Sequence, residues 1–281
     1  MVKNRHYRAQ SKSRTPRWIA LAALVILVVI VGGGYLVHHR PKDSASVAGI
    51  GAPVSAAMMK DLTAIPSSVW KGLGTKGAVA AQLTPNKPTP SFLYIGAEGC
   101  PYCAAERWPI VVALSRFGHF SGLTLMRSNG QDSYPNTPTV DFLHARFRSP
   151  YFTAHLMEIL GRKLGPQGFY PPLMKLTAAE DHAFATYDAP PYVPQGYSES
   201  FPFVLVGSRY VWIGSSVYPA LLAHKSWNAV SRAIRSGKGP IAQSVLANAN
   251  ALTAAICKVD GNRPSAVCNQ VGGHVPTQAT P

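Results

Sequence analysis

Phe92-Leu-Tyr-Ile-Gly-Ala-Glu-Gly-Cys100-Pro-Tyr-Cys103-Ala-Ala-Glu-Arg-Trp-Pro109 is the stretch on which the reading of this chain turns. Its apolar start predicts a strand over 92–96. A short turn then delivers Cys100 and Cys103 to the start of a predicted helix over 100–117. A helix N-terminus carries unsatisfied N–H groups and about half a positive charge, which favours a thiolate over a thiol. The spacing also lets the two sulfurs close as a disulfide. Cys100 is therefore expected to be the exposed nucleophile and Cys103, one turn in, the more buried resolving thiol, with Pro101 and Tyr102 between them. Exchange would pass through a mixed disulfide on Cys100 that Cys103 releases. A lone Cys-x-x-Cys is also half of a zinc knuckle, and an inert structural disulfide is the plain alternative. The strand before the motif and the helix after it favour the redox reading.

Upstream of this stretch the chain is basic, then apolar. Eight of the 27 Lys and Arg residues and none of the 12 Asp and Glu lie at or before Lys42. The remainder holds 19 basic against 12 acidic residues, a net of +7 within the overall +15. Trp18 to Val37 is uncharged and long enough to span a bilayer as a helix. Residues 1–17 form a basic arm, and fewer basic residues follow the apolar run than precede it. The positive-inside rule then places the N-terminus in the cytoplasm and the rest outside. The charge asymmetry reads as a topology signal and not as a nucleic-acid footprint. A cleaved signal peptide is the rival, but Ser46-Val47-Ala48 lies far beyond an overlong apolar run. Residues 38–55 read as a linker, and a folded domain is expected over 56–268.

Within that domain, Met58 to Leu73 predicts one or two short helices broken at Pro66. Leu123 to Arg127 is a second short strand, completing a βαβ unit whose dithiol sits on the loop at the first strand's C-terminal end, where ligand and redox sites of open α/β sheets lie. Gly118 suits a left-handed helix cap. Val140–Phe147 and Tyr151–Leu160 read as two strands about Ser149-Pro150. Thr177-x-x-Glu180 is a capping-box pattern for a helix to about Tyr187. Phe203–Val206 and Tyr210–Ile213 read as a hairpin. Val217–Arg235 reads as helical, with Gly237 after its end. A last helix begins at Pro240 with the stripe Ile241, Val245, Ala249, Leu252, Ile256. Residues 269–281 read as a disordered tail.

Strand, Ala97-Glu98-x-Cys100-x-x-Cys103, helix, strand, then Phe201-Pro202 opening a hairpin and a closing helix, resembles the thioredoxin fold over 91–127 and 201–236. The resemblance implies an α/β, thioredoxin-like domain with residues 129–200 inserted between the second and third core strands. It makes Pro202 a cis-proline facing the dithiol, and the Phe201 backbone beside it a strand-addition surface for a substrate chain. The Pro-Tyr dipeptide matches glutaredoxins, but no glutathione-site signature accompanies it. Tyr94 stands where thioredoxin has its buried acid, so a proton acceptor must come from elsewhere. Glu98 and Glu106 are the candidates, with solvated helix-end charges as their plain reading. The architecture is similar to an uncharacterised prokaryotic family of membrane-anchored thioredoxin-like proteins, domain-of-unknown-function family nine-two-nine, which adds no established activity.

The other two cysteines, Cys257 and Cys268, are expected to staple the tail to the last helix, as usual in an oxidising compartment. A second redox couple is the sharper alternative. Structural zinc favours two short-spaced knuckles, and the nine histidines make no helical ligand pair, so no metal is expected. No phosphate-binding glycine loop or nucleophile elbow is present, and no cofactor is implied. The aromatic residues of 129–200 are expected first of all to be core. The function expected is that of a membrane-anchored, extracytoplasmic thiol–disulfide oxidoreductase. Its partners would be exported protein thiols or disulfides or an envelope redox protein, with membrane lipid around 18–37. A non-catalytic binding or scaffolding module of the cell envelope is the alternative.

Overall fold

The structure is a computed structural model that describes residues 49–75, 80–82, 91–193, 198, 200–271 and 274–278. The basic arm, the apolar run 18–37 and most of the linker lie outside the described residues. Among the described residues no helix is long and apolar enough to cross a membrane.

The fold is mixed α/β. Strand Ser91–Ala97 (β2) lies inside a six-stranded mixed sheet and is apolar throughout because both its faces are covered. Phe92 and Tyr94 enter the larger of two cores; Leu93 and Ile95, on the opposite face of the pleat, enter the smaller. Helices Ala56–Thr63 (α1) and Ser67–Trp70 (α2) precede it, broken at Pro66 as the sequence predicts, and strand Ala80–Gln82 (β1) joins the sheet. Helix Pro101–Leu114 (α3) follows β2. All of its residues are buried except Tyr102, which explains why it is apolar on every face apart from Glu106 and Arg107.

The strand that completes the parallel crossover is not the expected one. Strand Thr124–Arg127 (β4) pairs with Pro138–Asp141 (β5) in a separate two-stranded ribbon, and His119–Ser121 (β3) pairs with Arg146–Arg148 (β6) in another. The parallel neighbour of β2 is Thr153–Leu160 (β7), which lies within the stretch read as an insertion. The chain from β2 through α3 to β4 is long enough for a parallel crossover, so length does not decide the pairing; β4 is taken by β5. The ribbon is held instead against α3 and the later helices. Trp108 Nε1 donates to the Pro138 carbonyl, and Trp227 Nε1 to those of Met126 and Thr139.

Helix Ala178–Tyr187 (α4) carries both reciprocal bonds of the Thr177–Glu180 capping box and closes the smaller core through Phe184. Strands Phe203–Val206 (β8) and Tyr210–Ile213 (β9) form the expected hairpin, antiparallel beside β2. The helix expected over 217–235 is shorter. After one 3-10 turn at Pro219–Leu221, His224 adopts a positive φ of 63° and Ser226 caps a new helix, Trp227–Ser236 (α5), which ends on left-handed Gly237. Helix Gly239–Val259 (α6) packs the predicted stripe into the larger core and against α3.

Two further expectations are corrected. Helix α3 is capped at Ser115, and Gly118 is not left-handed; a Cβ there would collide with the Arg148 carbonyl, so close packing requires the glycine. The tail is not free after Cys268. Val271 and Val275 are buried, and Thr277–Gln278 (β10) pairs parallel with β1, giving the sheet order β10-β1-β9-β8-β2-β7. Cys257 and Cys268, the latter in the short helix Ser265–Cys268 (α7), form the expected disulfide.

Candidate active site

Cys100 is the N-cap of α3. It leaves β-region backbone angles, φ −73° and ψ 124°, just before Pro101 starts the helix with the φ proline already holds. Its sulfur accepts the Cys103 amide N–H at 3.2 Å, one of the donors that a helix start leaves unsatisfied. Both cysteines are free thiols; Cys100 is half-buried and Cys103 fully buried. The Cys103 side chain donates to Cys100 and holds that thiol below its ordinary value; burial opposes this, and the Cys103 amide and the Arg107 charge assist. Burial pushes the Cys103 thiol well up. The two sulfurs therefore differ in the sense that a nucleophile and a resolving thiol require.

Phe201 and Pro202, a hundred residues on, come to the same place. Their peptide bond is cis, and the Phe201 carbonyl lies 4.0 Å from the Cys100 sulfur. The Phe201 ring stacks on Phe184 at 5.7 Å, so α4 holds this second wall. On the other side Tyr102, 39% exposed, meets Tyr134 edge-on at 5.9 Å, and the Tyr134 hydroxyl bonds that of Tyr218, 57% exposed. Gly99 closes the third side, where a Cβ would lie 2.7 Å from the Arg162 carbonyl and 3.2 Å from the Tyr170 ring. The aromatic residues of 129–200 are thus divided. Phe142, Phe152 and Phe184 are core, Phe147, Tyr151, Tyr187 and Tyr192 pack against core, Phe169 is exposed, and Tyr134 and Tyr170 stand beside Tyr102 and Gly99; Tyr197 lies outside the described residues.

Neither Glu98 nor Glu106 is the solvated charge that its plain reading expects. Glu98 is 8% exposed, and burial, with Asp141 and Glu158 nearby, pushes its carboxyl up to about 7. Glu106 is 1% exposed, pushed up to about 7 by burial. Its carboxylate accepts the Ser216 N–H at 2.7 Å, the Ser216 hydroxyl at 2.5 Å and the Ser215 hydroxyl at 3.3 Å. It ties α3 to the turn after β9.

Sequence reasoning missed Arg107 and Glu158. Arg107, four residues after Cys103, is wholly buried and forms a two-point ion pair with Glu158 at 2.6 and 2.7 Å. The signal was present as charges in apolar surroundings, Arg107 beside Glu106 in a helix otherwise without charge and Glu158 within Leu156-Met-Glu-Ile-Leu160. Burial pushes the Tyr94 hydroxyl well up, so it is a poor proton acceptor in place of an acid. Among the described residues no group of three or more His, Cys, Asp or Glu is placed to hold a metal ion.

Residues 78–167 match the model of a family described as Domain of unknown function (DUF929). The matched segment runs from β1 through the dithiol and α3 to just past β7, and it supports the family resemblance without assigning an activity. No curated protein and no solved structure matches the chain.

Proposed function

We propose that the protein is a membrane-anchored, extracytoplasmic thiol–disulfide oxidoreductase with a thioredoxin-like core, working through Cys100 and Cys103. The observation that carries the reading is the asymmetry of the pair. A half-buried sulfur at a helix N-cap takes an amide hydrogen bond at 3.2 Å, and a fully buried thiol stands one turn behind it. The crossover from β2 through α3 into β7, the hairpin β8–β9 beside β2, and Phe201-Pro202 next to Cys100 support the core. The apolar run 18–37 and the basic arm before it support the anchor and its orientation.

In the proposed reaction the Cys100 thiolate attacks one sulfur of a protein disulfide, forming a mixed disulfide and releasing one substrate thiolate. Cys103 then gives up its proton and attacks the Cys100 sulfur, closing Cys100–Cys103 and releasing the second substrate thiolate. Two electrons and the Cys103 proton leave the pair, and a partner dithiol of the envelope restores it by the reverse steps. Glu98 is the carboxyl proposed to take the Cys103 proton, since its affinity lies near neutrality and it stands in the turn between β2 and α3. Glu106 is set aside because its carboxylate is occupied by Ser215 and Ser216. Phe201 would pair its backbone with the substrate chain, and Pro101, Tyr102 and Pro202 would shape the approach.

The test is alkylation of the reduced full-length protein together with reduction of insulin disulfides. Cys100 is expected to be labelled well before Cys103, and Cys100→Ser to abolish insulin reduction. Equal labelling of both thiols, or insulin reduction that survives Cys100→Ser, defeats the proposal.

A further inference from the structure

Ala97, the last residue of β2, connects the dithiol to a buried ion pair. The β2–β7 register runs without a break to Gly96 opposite Glu158, then slips so that Ala97 faces Leu160. Such an irregularity releases a peptide from the regular ladder, and both polar groups of Ala97 are used elsewhere. Its N–H points at the Cys103 sulfur, 3.4 Å away, and its carbonyl accepts Arg107 Nη2 at 2.9 Å. Arg107 is in turn gripped by both oxygens of Glu158. Each link is buried.

We propose that Arg107, held by Glu158, is a positioning residue for the resolving thiol: through the Ala97 peptide it fixes the Cys103 sulfur behind Cys100, and it keeps a positive charge beside both sulfurs. This inference rests on the thiol–disulfide reading of the pair. A buried ion pair is a poor route to stability, since apolar residues of similar volume often do as well or better. Three of the pair's contacts are explained by position alone. Arg107 lies one helical turn beyond Cys103, on the same face of α3. Glu158 reaches it from the neighbouring strand, and Ala97 is freed by the register slip. The other titratable groups about the site are Tyr94 on β2, Glu98 in the turn, Asp141 on β5, and Cys100. The charge of Arg107 favours both thiolates, and that of Glu158 opposes the Cys103 thiolate. The two members of the pair therefore act on the Cys103 thiol with opposite sign.

The experiment uses the full-length protein and two measurements. The first is the pH dependence of alkylation of the two thiols. Glu158→Gln is expected to move the Cys103 titration to lower pH, and Arg107→Met to move it to higher pH, each by the equivalent of about tenfold in acid constant. The second is resolution of a glutathione mixed disulfide on Cys100, in which Cys103 attacks the Cys100 sulfur and glutathione leaves as its thiolate. Arg107→Met with Glu158→Leu removes both charges without stranding either, so it keeps the test available if Arg107→Met alone does not fold. Resolution in this double variant is expected to slow about tenfold, as misplacement of a reacting atom does, and to recover in part in Arg107→Lys. Shifts of the same sign in the two single variants, or unchanged resolution in the folded double variant, overturn the proposal. A wild-type protein that forms neither the mixed nor the internal disulfide defeats the oxidoreductase reading instead, and the alkylation arm still reports on the pair.

Discussion

Replacing Glu106 with Gln should make the protein more stable, and only above mildly acidic pH. The carboxyl is 1% exposed, and burial raises its proton affinity from an ordinary 4.5 to about 7. In the unfolded chain it ionises near 4.5; in the folded protein it holds its proton until near 7. Below the lower value both states are protonated, and the group contributes nothing to the pH dependence. Between the two values only the unfolded chain ionises, so stability falls as pH rises. At ~1.4 kcal/mol per pH unit the loss is about 3 kcal/mol by pH 7 to 8. Gln has nearly the same shape and keeps an oxygen to accept the Ser216 N–H, but it does not titrate. The assay is urea unfolding followed by tryptophan fluorescence, at pH 4.5 and at pH 8, for both proteins. The difference in unfolding free energy, Glu106→Gln minus wild type, should grow by about 3 kcal/mol from the lower to the higher pH. Glu98 is raised as well, but it is present in both proteins and cancels. A difference that stays constant with pH, or that moves the other way, would refute the argument, because Glu106 would then ionise without penalty in its Ser215–Ser216 seat.

Two further outcomes concern stability alone. The Cys257–Cys268 bridge closes a loop with a sequence separation of 11. Cys257→Ala with Cys268→Ala should cost about 3 kcal/mol by the loop-entropy relation, a fall in Tm of roughly 6–12 °C, and should leave Cys100 alkylation unchanged. Gly118→Ala should destabilise by about 1–3 kcal/mol, since its Cβ meets the backbone of Arg148, which cannot swing aside as a side chain can. A thermal melt within a degree of wild type would mean the β3–β6 ribbon shifts freely there.

The parts of this fold that were legible in the sequence are those written by local rules. The dithiol with its strand and helix, the Thr177–Glu180 capping box, the β8–β9 hairpin, the stripe of α6 and the break at Pro66 all depend on neighbours within a few residues. The partner of β2 was not legible. Thr124–Arg127 and Thr153–Leu160 are both apolar enough to be sheet strands, and the choice between them is made by tertiary pairing, Thr124–Arg127 with Pro138–Asp141 and Thr153–Leu160 with β2. The same holds at the site. Cys100, Cys103, Phe201 and Pro202 could be assembled from their spacing and a resemblance, but Glu98 and Glu106 look like any surface acids at a helix start. Only the packing of β5, β7 and the turn after β9 takes them out of water. Arg107 and Glu158 are separated by 51 residues. Each was an oddity in its own segment, and the explanation of each is the other. Val271, Val275 and β10 were lost to the tail because a two-residue strand has no periodicity to detect.

That last strand bears on how the protein can be handled. A sheet margin with unpaired N–H and C=O groups is a template on which another chain can assemble. Here Thr277 and Gln278 lie along β1 and occupy that margin. The Cys257–Cys268 disulfide precedes them in the chain. A chain shortened after Cys268 keeps the dithiol, the ion pair and every helix of the described residues, yet it uncovers β1 and discards two buried valines. The cost of such trimming would appear as self-association on storage, with thiol chemistry intact in whatever fraction stays in solution.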